Sequence, residues 1–122
     1  MSGKPPKPSV LQRDTLVQLR GLLEGSYKKT IRTFLTDAAQ RIEVLREASI
    51  HGDREILRQQ AHALKGSSSN FGAVELAALC HTLQQQAATL TALEVIRLVE
   101  EIEHACARVQ AGLEAELADQ SS

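Results

Sequence analysis

Val95, Val99, Ile102, Cys106, Val109 and Leu113 follow one another at intervals of four, three, four, three and four residues. That spacing draws a single stripe along an α-helix, and it has no counterpart in a strand, where one face repeats every second residue. A helix with one long apolar stripe must bury it against another helix of similar length. The chain therefore has to supply partners for this seam, and the upstream sequence does.

Tyr27, Ile31, Phe34, Leu35, Ala38, Ile42 and Leu45 repeat at helical spacing, with Arg32, Asp37, Gln40, Arg41, Glu43 and Glu47 expected on the wet side. Gly52 suits a left-handed helix end, and Asp53 an N-cap for a third helix. This third helix carries Leu57, Ala61, Leu64, Ser68 and Phe71 on one side and stops near Gly72. A fourth starts near Ala73, with Leu76, Leu79, Cys80 and Leu83 as its stripe and Ala77 and Ala87 beside it. Thr91 and Glu94 then fit a capping box, in which each side chain satisfies the other residue's free backbone amide. Ahead of these lies a shorter helix starting near Ser9 or Asp14, with Val10, Leu11, Leu16, Leu19, Leu22 and Leu23 as its apolar side, Gly25 as its breaker and Ser26 as the next cap. The expected fold is all-α: an antiparallel up-down four-helix bundle over residues 10–118, with a short additional N-terminal helix across one end.

The composition agrees. Apolar residues make up 43 % of the 122 and aromatics only 2 % (Tyr27, Phe34, Phe71), so the core is aliphatic and suited to helix-on-helix packing. One domain of this length buries a core without staples. Cys80 and Cys106 lack metal spacing and read as two buried reduced thiols. A net charge of −1 argues against nucleic-acid binding by bulk electrostatics. No apolar run approaches the roughly 20 residues that span a bilayer. Residues 1–9 contain three prolines and two lysines and no apolar h-region, so they read as a flexible tail, not a signal peptide. Residues 119–122 are expected to be disordered, and the chain to be cytoplasmic.

The chemistry concentrates on the third helix. On a wheel of about 100° per residue with Leu57 at zero, the stripe residues fall within about 40° of the core direction. His62 lies at about 140°, Gly66 at about 180° and Ser69 at about 120°, so all three face solvent. Arg54, Lys65 and Arg58 lie at about 60°, 80° and 100°, a basic stripe beside the histidine. A glycine in mid-helix costs roughly 1 kcal/mol relative to alanine. Placed one turn from an exposed imidazole, it clears space for a partner to approach. A lysine three residues on brings an ammonium near any anion the histidine carries. Ser67 and Ser69 are poor interior helix residues that can donate hydrogen bonds, whereas Ser68 points inward and reads as packing. Each feature alone is ordinary surface. Together they describe an accessible nucleophilic nitrogen beside an anion-stabilising cation.

The stretch Ala61-His62-Ala63-Leu64-Lys65-Gly66-Ser67-Ser68-Ser69-Asn70-Phe71-Gly72-Ala73 resembles the signature of the histidine-containing phosphotransfer (HPt) domain: His-x-Leu-Lys-Gly-Ser, then a glycine six residues beyond the first. Leu76, Cys80 and Leu83 are also similar to the family, which often has an acidic residue where this chain has Gln84. The resemblance implies a carrier that relays phosphoryl groups between receiver-domain aspartates in a multistep two-component phosphorelay. His62 would be phosphorylated, Lys65 would neighbour the phosphate and Gly66 would give clearance. Arg54, Arg58, Ser67 and Ser69 are the candidates for phosphate contact or docking. The implied partners are receiver domains of hybrid sensor kinases and response regulators. No cofactor of its own is implied, Mg²⁺ coming from the receiver, and the family is generally monomeric. No ATP-binding segment follows, so a stand-alone carrier and not a kinase is expected. The competing reading is a non-phosphorylated adaptor bundle docking signalling domains through the same face. A di-iron bundle would need two Glu-x-x-His pairs facing inward. The chain has one, Glu101 and His104, and the wheel turns both away from the core.

Overall fold

The computed structural model describes residues 10–119, so the tail expected over residues 1–9 lies outside it, as does the disorder expected over 119–122 except at Asp119, which is the last residue of a helix. Five α-helices follow in order: α1 (Arg13–Leu23), α2 (Tyr27–His51), α3 (Arg54–Asn70), α4 (Val74–Gln86) and α5 (Ala92–Asp119), with a 3₁₀ turn at Glu24–Ser26 between the first two. Helices α2 to α5 form a four-helix bundle. Each packs on its chain neighbour, and α5 closes the ring against α2.

The joints are built by the expected residues, with some exceptions. Gly52 takes φ 71°, the left-handed end that lets Asp53 follow at once. Asp53 accepts from Ile56 N at 3.1 Å and caps α3. Thr91 and Glu94 exchange both capping bonds, Glu94 Oε1 accepting from Thr91 N at 2.8 Å and Thr91 Oγ1 from Glu94 N at 3.1 Å. Helix α1 departs from expectation. It starts at Arg13, beside the expected Asp14, but with Gln12 at the N-cap position, and Glu24, not Gly25, takes the positive φ of 41° at its end. Ser26 occupies the N-cap position of α2 but donates backwards to Leu23 O, so it closes the 3₁₀ turn without capping the helix.

Leu57, Ala61, Leu64 and Ser68 are wholly buried, Phe71 nearly so, and Phe71 lies against Phe34 with ring centroids 4.8 Å apart. In α5 the seam holds except at Cys106, which is half-buried on the α2 side, while Ala105 is fully inside. Ala38 and Ala39 of α2 line the same shallow groove as Cys106, and their short side chains leave it uncovered. Thus only Cys80 is a buried thiol, its ionisation pushed up to about 12 by burial. Leu22 is 81 % exposed, because α1 meets the bundle with Leu16, Leu19 and Leu23 and turns Leu22 outward.

Helix α1 is fastened across the end where α2 begins and α5 finishes. Glu116 of α5 is 4 % exposed and accepts from Arg13 Nη1 at 3.0 Å, Arg20 Nη2 at 2.6 Å and the Tyr27 hydroxyl at 3.0 Å. Gln12 N donates to Gly72 O at 2.9 Å. Among the described residues, no helix is long and apolar enough to cross a membrane.

Candidate functional site

The bundle leaves one face of α3 open. Its inward stripe fixes the helix's rotation, and with it the direction of every other side chain. His62 and Ser69 are exposed, as the wheel requires. A Cβ built at Gly66 would meet nothing within 4 Å, so the surface one turn from His62 is open, and Gly66 fills no packing role.

The other candidates divide between the two flanks. Lys65 leans toward α4, where its Nζ lies 3.4 Å from Nδ1 of the exposed His81. Ser67 lies on the α2 side and its hydroxyl is turned back on its own helix, shared between Ala63 O and Leu64 O at 3.3 Å each. It lines a shallow groove between α2 and α3 with Lys29, Thr33, Asp37 and Asn70, floored by Phe34 and Phe71. Further along this α2 flank, Arg41 bridges the helices, its Nε donating to Asp37 at 2.9 Å and its Nη1 to Gln60 Oε1 at 2.9 Å.

Arg54 does not belong to a free basic stripe. Its Nη1 donates to Ala87 O at 2.8 Å and Leu90 O at 2.6 Å, joining the start of α3 to the α4–α5 connection. A cation there also complements the carbonyl end of α4. Arg58 pairs with Glu55 one turn before it, both side chains well exposed, so its charge is partly compensated and solvent-screened. By sequence His81 reads as a surface residue, and it is exposed; the contact that distinguishes it depends on how α3 and α4 lie side by side.

Glu101 and His104 both face solvent, and among the described residues no group of three or more His, Cys, Asp or Glu side chains is placed to hold a metal ion. What remains on this face is an imidazole in water, an ammonium to one side and a bare turn below.

The Hpt domain family matches this sequence over residues 29–120. The chain belongs to the Hpt family. Comparison of this Hpt protein with curated protein sequences gives no match. Among solved structures it is similar to histidine-containing phosphotransfer protein B (HptB) from Pseudomonas aeruginosa PAO1, with 32 % identity, a TM-score of 0.86, and coverage of 93 % of this chain and 98 % of that one. It is thus a histidine phosphotransfer protein of the phosphorelay type, a phosphocarrier of an all-helical family. The bundle deduced from apolar spacing is the fold this Hpt protein has.

Proposed function

We propose that this protein takes a phosphoryl group from the aspartyl phosphate of one receiver domain onto His62 and passes it to the aspartate of another. The observation that carries the reading is the pairing of the exposed His62 with an exposed Gly66 one turn on, where an added Cβ would meet no packing neighbour within 4 Å. In the forward step a neutral imidazole nitrogen of His62 attacks phosphorus in line. The N–P bond forms as the P–O bond to the receiver's aspartate breaks, and the carboxylate leaves on the receiver. Lys65 offsets negative charge on the phosphoryl oxygens, and the rigid helix holds the imidazole oriented. The reverse step uses the same geometry with the second receiver, and each receiver brings its own Mg²⁺.

Docking is assigned to the face shared by α2 and α3, where the groove floored by Phe34 and Phe71 lies beside the helix that bears His62. Arg58 contributes a rim charge. Arg54 serves the fold, being held by two carbonyls.

The test is incubation with a phosphorylated receiver domain, followed by mapping of the modified residue. Wild type should gain an acid-labile, base-stable phosphate on His62, and His62→Gln should gain none while keeping its helical circular dichroism. Normal labelling of His62→Gln would sink the assignment.

A further inference from the structure

We propose that His81 is a positioning residue for the phosphotransfer site: the unprotonated Nδ1 of its ring anchors the Lys65 ammonium beside His62. The inference rests on the reading that His62 carries the phosphoryl group. It goes beyond that reading by assigning a role to a side chain on a different helix.

A lysine on an open helix face has four rotatable bonds and a strongly hydrated head, and it carries about 2 kcal/mol of rotamer entropy. An ammonium that must meet phosphoryl oxygens is more effective when its range is already restricted. Here the restriction comes from α4. Lys65 Nζ sits 3.4 Å from His81 Nδ1, across the junction of α3 and α4. The ammonium has three N–H groups and no acceptor, so the ring can only be the acceptor, and its proton must then sit on Nε2. One N–H goes to His81, and two remain for the phosphoryl oxygens. Lys65 forms no ion pair with a carboxylate among the described residues, so no charged partner competes for it. A separation of 3.4 Å is at the long end for a hydrogen bond, which fits a modest positioning contact between two exposed side chains.

The chemistry at position 81 is specific. A protonated ring has no acceptor to offer and repels the ammonium. An asparagine places Oδ1 where histidine has Nδ1, since both atoms follow Cγ. Alanine and phenylalanine supply no acceptor. Because His81 is exposed, these changes leave the core intact.

The experiment uses the full chain with potassium phosphoramidate as the phosphoryl donor, following phosphorylation of His62 by intact mass and peptide mapping. His81→Ala and His81→Phe should slow the initial rate about three- to tenfold, the size expected for losing one charge-assisted contact. His81→Asn should restore it to within about twofold. In a Lys65→Ala background the His81→Ala change should have no further effect, since His81 acts through Lys65. Long-range ¹H–¹⁵N spectra of the neutral ring should show His81 Nδ1 unprotonated. Wild-type rates in His81→Ala and His81→Phe, an Asn variant as slow as Ala, additive losses with Lys65→Ala, or a ring carrying its proton on Nδ1 would each overturn the proposal. If wild type is labelled at His62 and only the His81 changes are silent, the carrier reading stands and the positioning role falls. If wild type takes up no phosphate at His62, the carrier reading itself fails, and this role with it.

Discussion

The Tyr27 hydroxyl donates to the buried carboxylate of Glu116 at 3.0 Å, across 89 residues of chain. Arg20 of α1 donates to the same oxygen, Oε1, and Arg13 to the other, Oε2. One side chain on α5 therefore ties together the start of α2 and both ends of α1. Burial alone would push the Glu116 carboxyl up. The hydrogen bonds from Arg20, Arg13 and Tyr27 outweigh it and hold the group below the usual carboxylate range. Burial, with the bond to Glu116, pushes the Tyr27 phenol up to about 12.

The consequence for stability has a definite sign. A carboxyl whose folded pKa is depressed contributes stability that is fully present above its unfolded pKa and is lost as pH falls through the folded value. Glu116→Gln should cost about 1–3 kcal/mol at pH 7, discounted because both arginines are substantially exposed and stay hydrated when the partner is lost. The difference between wild type and variant should shrink steadily below the carboxylate range. Urea titrations of both proteins from pH 7 down to pH 3 read this directly. A gap that stays constant with pH would show that the carboxylate's charge is not what holds α1.

Gly72 is doubly constrained, and its replacement should be the most damaging glycine change among the described residues. Its φ is 69°, and a Cβ there would lie 2.9 Å from both Gln12 Cβ and Thr15 Cβ and 3.1 Å from Gln12 N. Gly52 has a similar φ of 71° but nothing within 4 Å. Gly52→Ala should thus cost about 1 kcal/mol, the strain of the left-handed conformation alone. Gly72→Ala should cost about 2–4 kcal/mol, because the clash adds to the strain. It should also loosen α1. Hydrogen-exchange protection of amides in residues 13–23 should fall in Gly72→Ala and remain in Gly52→Ala.

These positions mark where reading the sequence succeeds and where it stops. Leu57, Ala61 and Leu64 were legible because a helix repeats its buried face in its own sequence, and that repeat also set the outward direction of His62. The Thr91–Glu94 box was legible because both partners lie within one turn. Leu22 was not, since α1 is too short for its period to choose between Leu22 and Leu19 or Leu23. Gly25 is the natural breaker by residue type, yet Glu24, the first residue of the 3₁₀ turn, takes the positive φ. Glu116, Arg54 and His81 share a different obstacle. Each owes its role to residues of another segment brought alongside by packing, and the lateral register of packed helices leaves no trace in local spacing.

Arg54 shows this limit most directly, and it separates fold from transfer. Local spacing placed it on a basic stripe, while the structure has it donating to two backbone carbonyls, Ala87 O and Leu90 O. Arg54→Ala leaves both without that charged donor and should cost about 1–3 kcal/mol. Lysine, with a single ammonium in place of the planar fork, should recover only part of the loss. The phosphorylation rate of folded Arg54→Ala at His62 should stay within about twofold of wild type. Thermal melts alongside a receiver-dependent phosphorylation assay distinguish the roles: a rate loss of tenfold or more in fully folded Arg54→Ala would return this residue to the docking surface.

Gly66 makes the opposite separation, and substitutions there should move stability and transfer in contrary directions. The residue lies inside α3, where glycine is about 1 kcal/mol less favourable than alanine, and a Cβ would meet nothing within 4 Å. Gly66→Ala should therefore stabilise the isolated protein by up to about 1 kcal/mol. On the proposed reading, the same methyl projects into the space through which a receiver reaches His62. Uptake from a phosphorylated receiver should fall severalfold for Gly66→Ala, and by about a hundredfold or more for Gly66→Leu, which fills that approach. A small donor such as phosphoramidate needs far less clearance, so labelling by it should change little in Gly66→Ala. A purely structural glycine would lose stability on substitution and lose both donors equally. Melting temperature, receiver-driven rate and phosphoramidate-driven rate, measured on wild type, Gly66→Ala and Gly66→Leu, decide between the two roles.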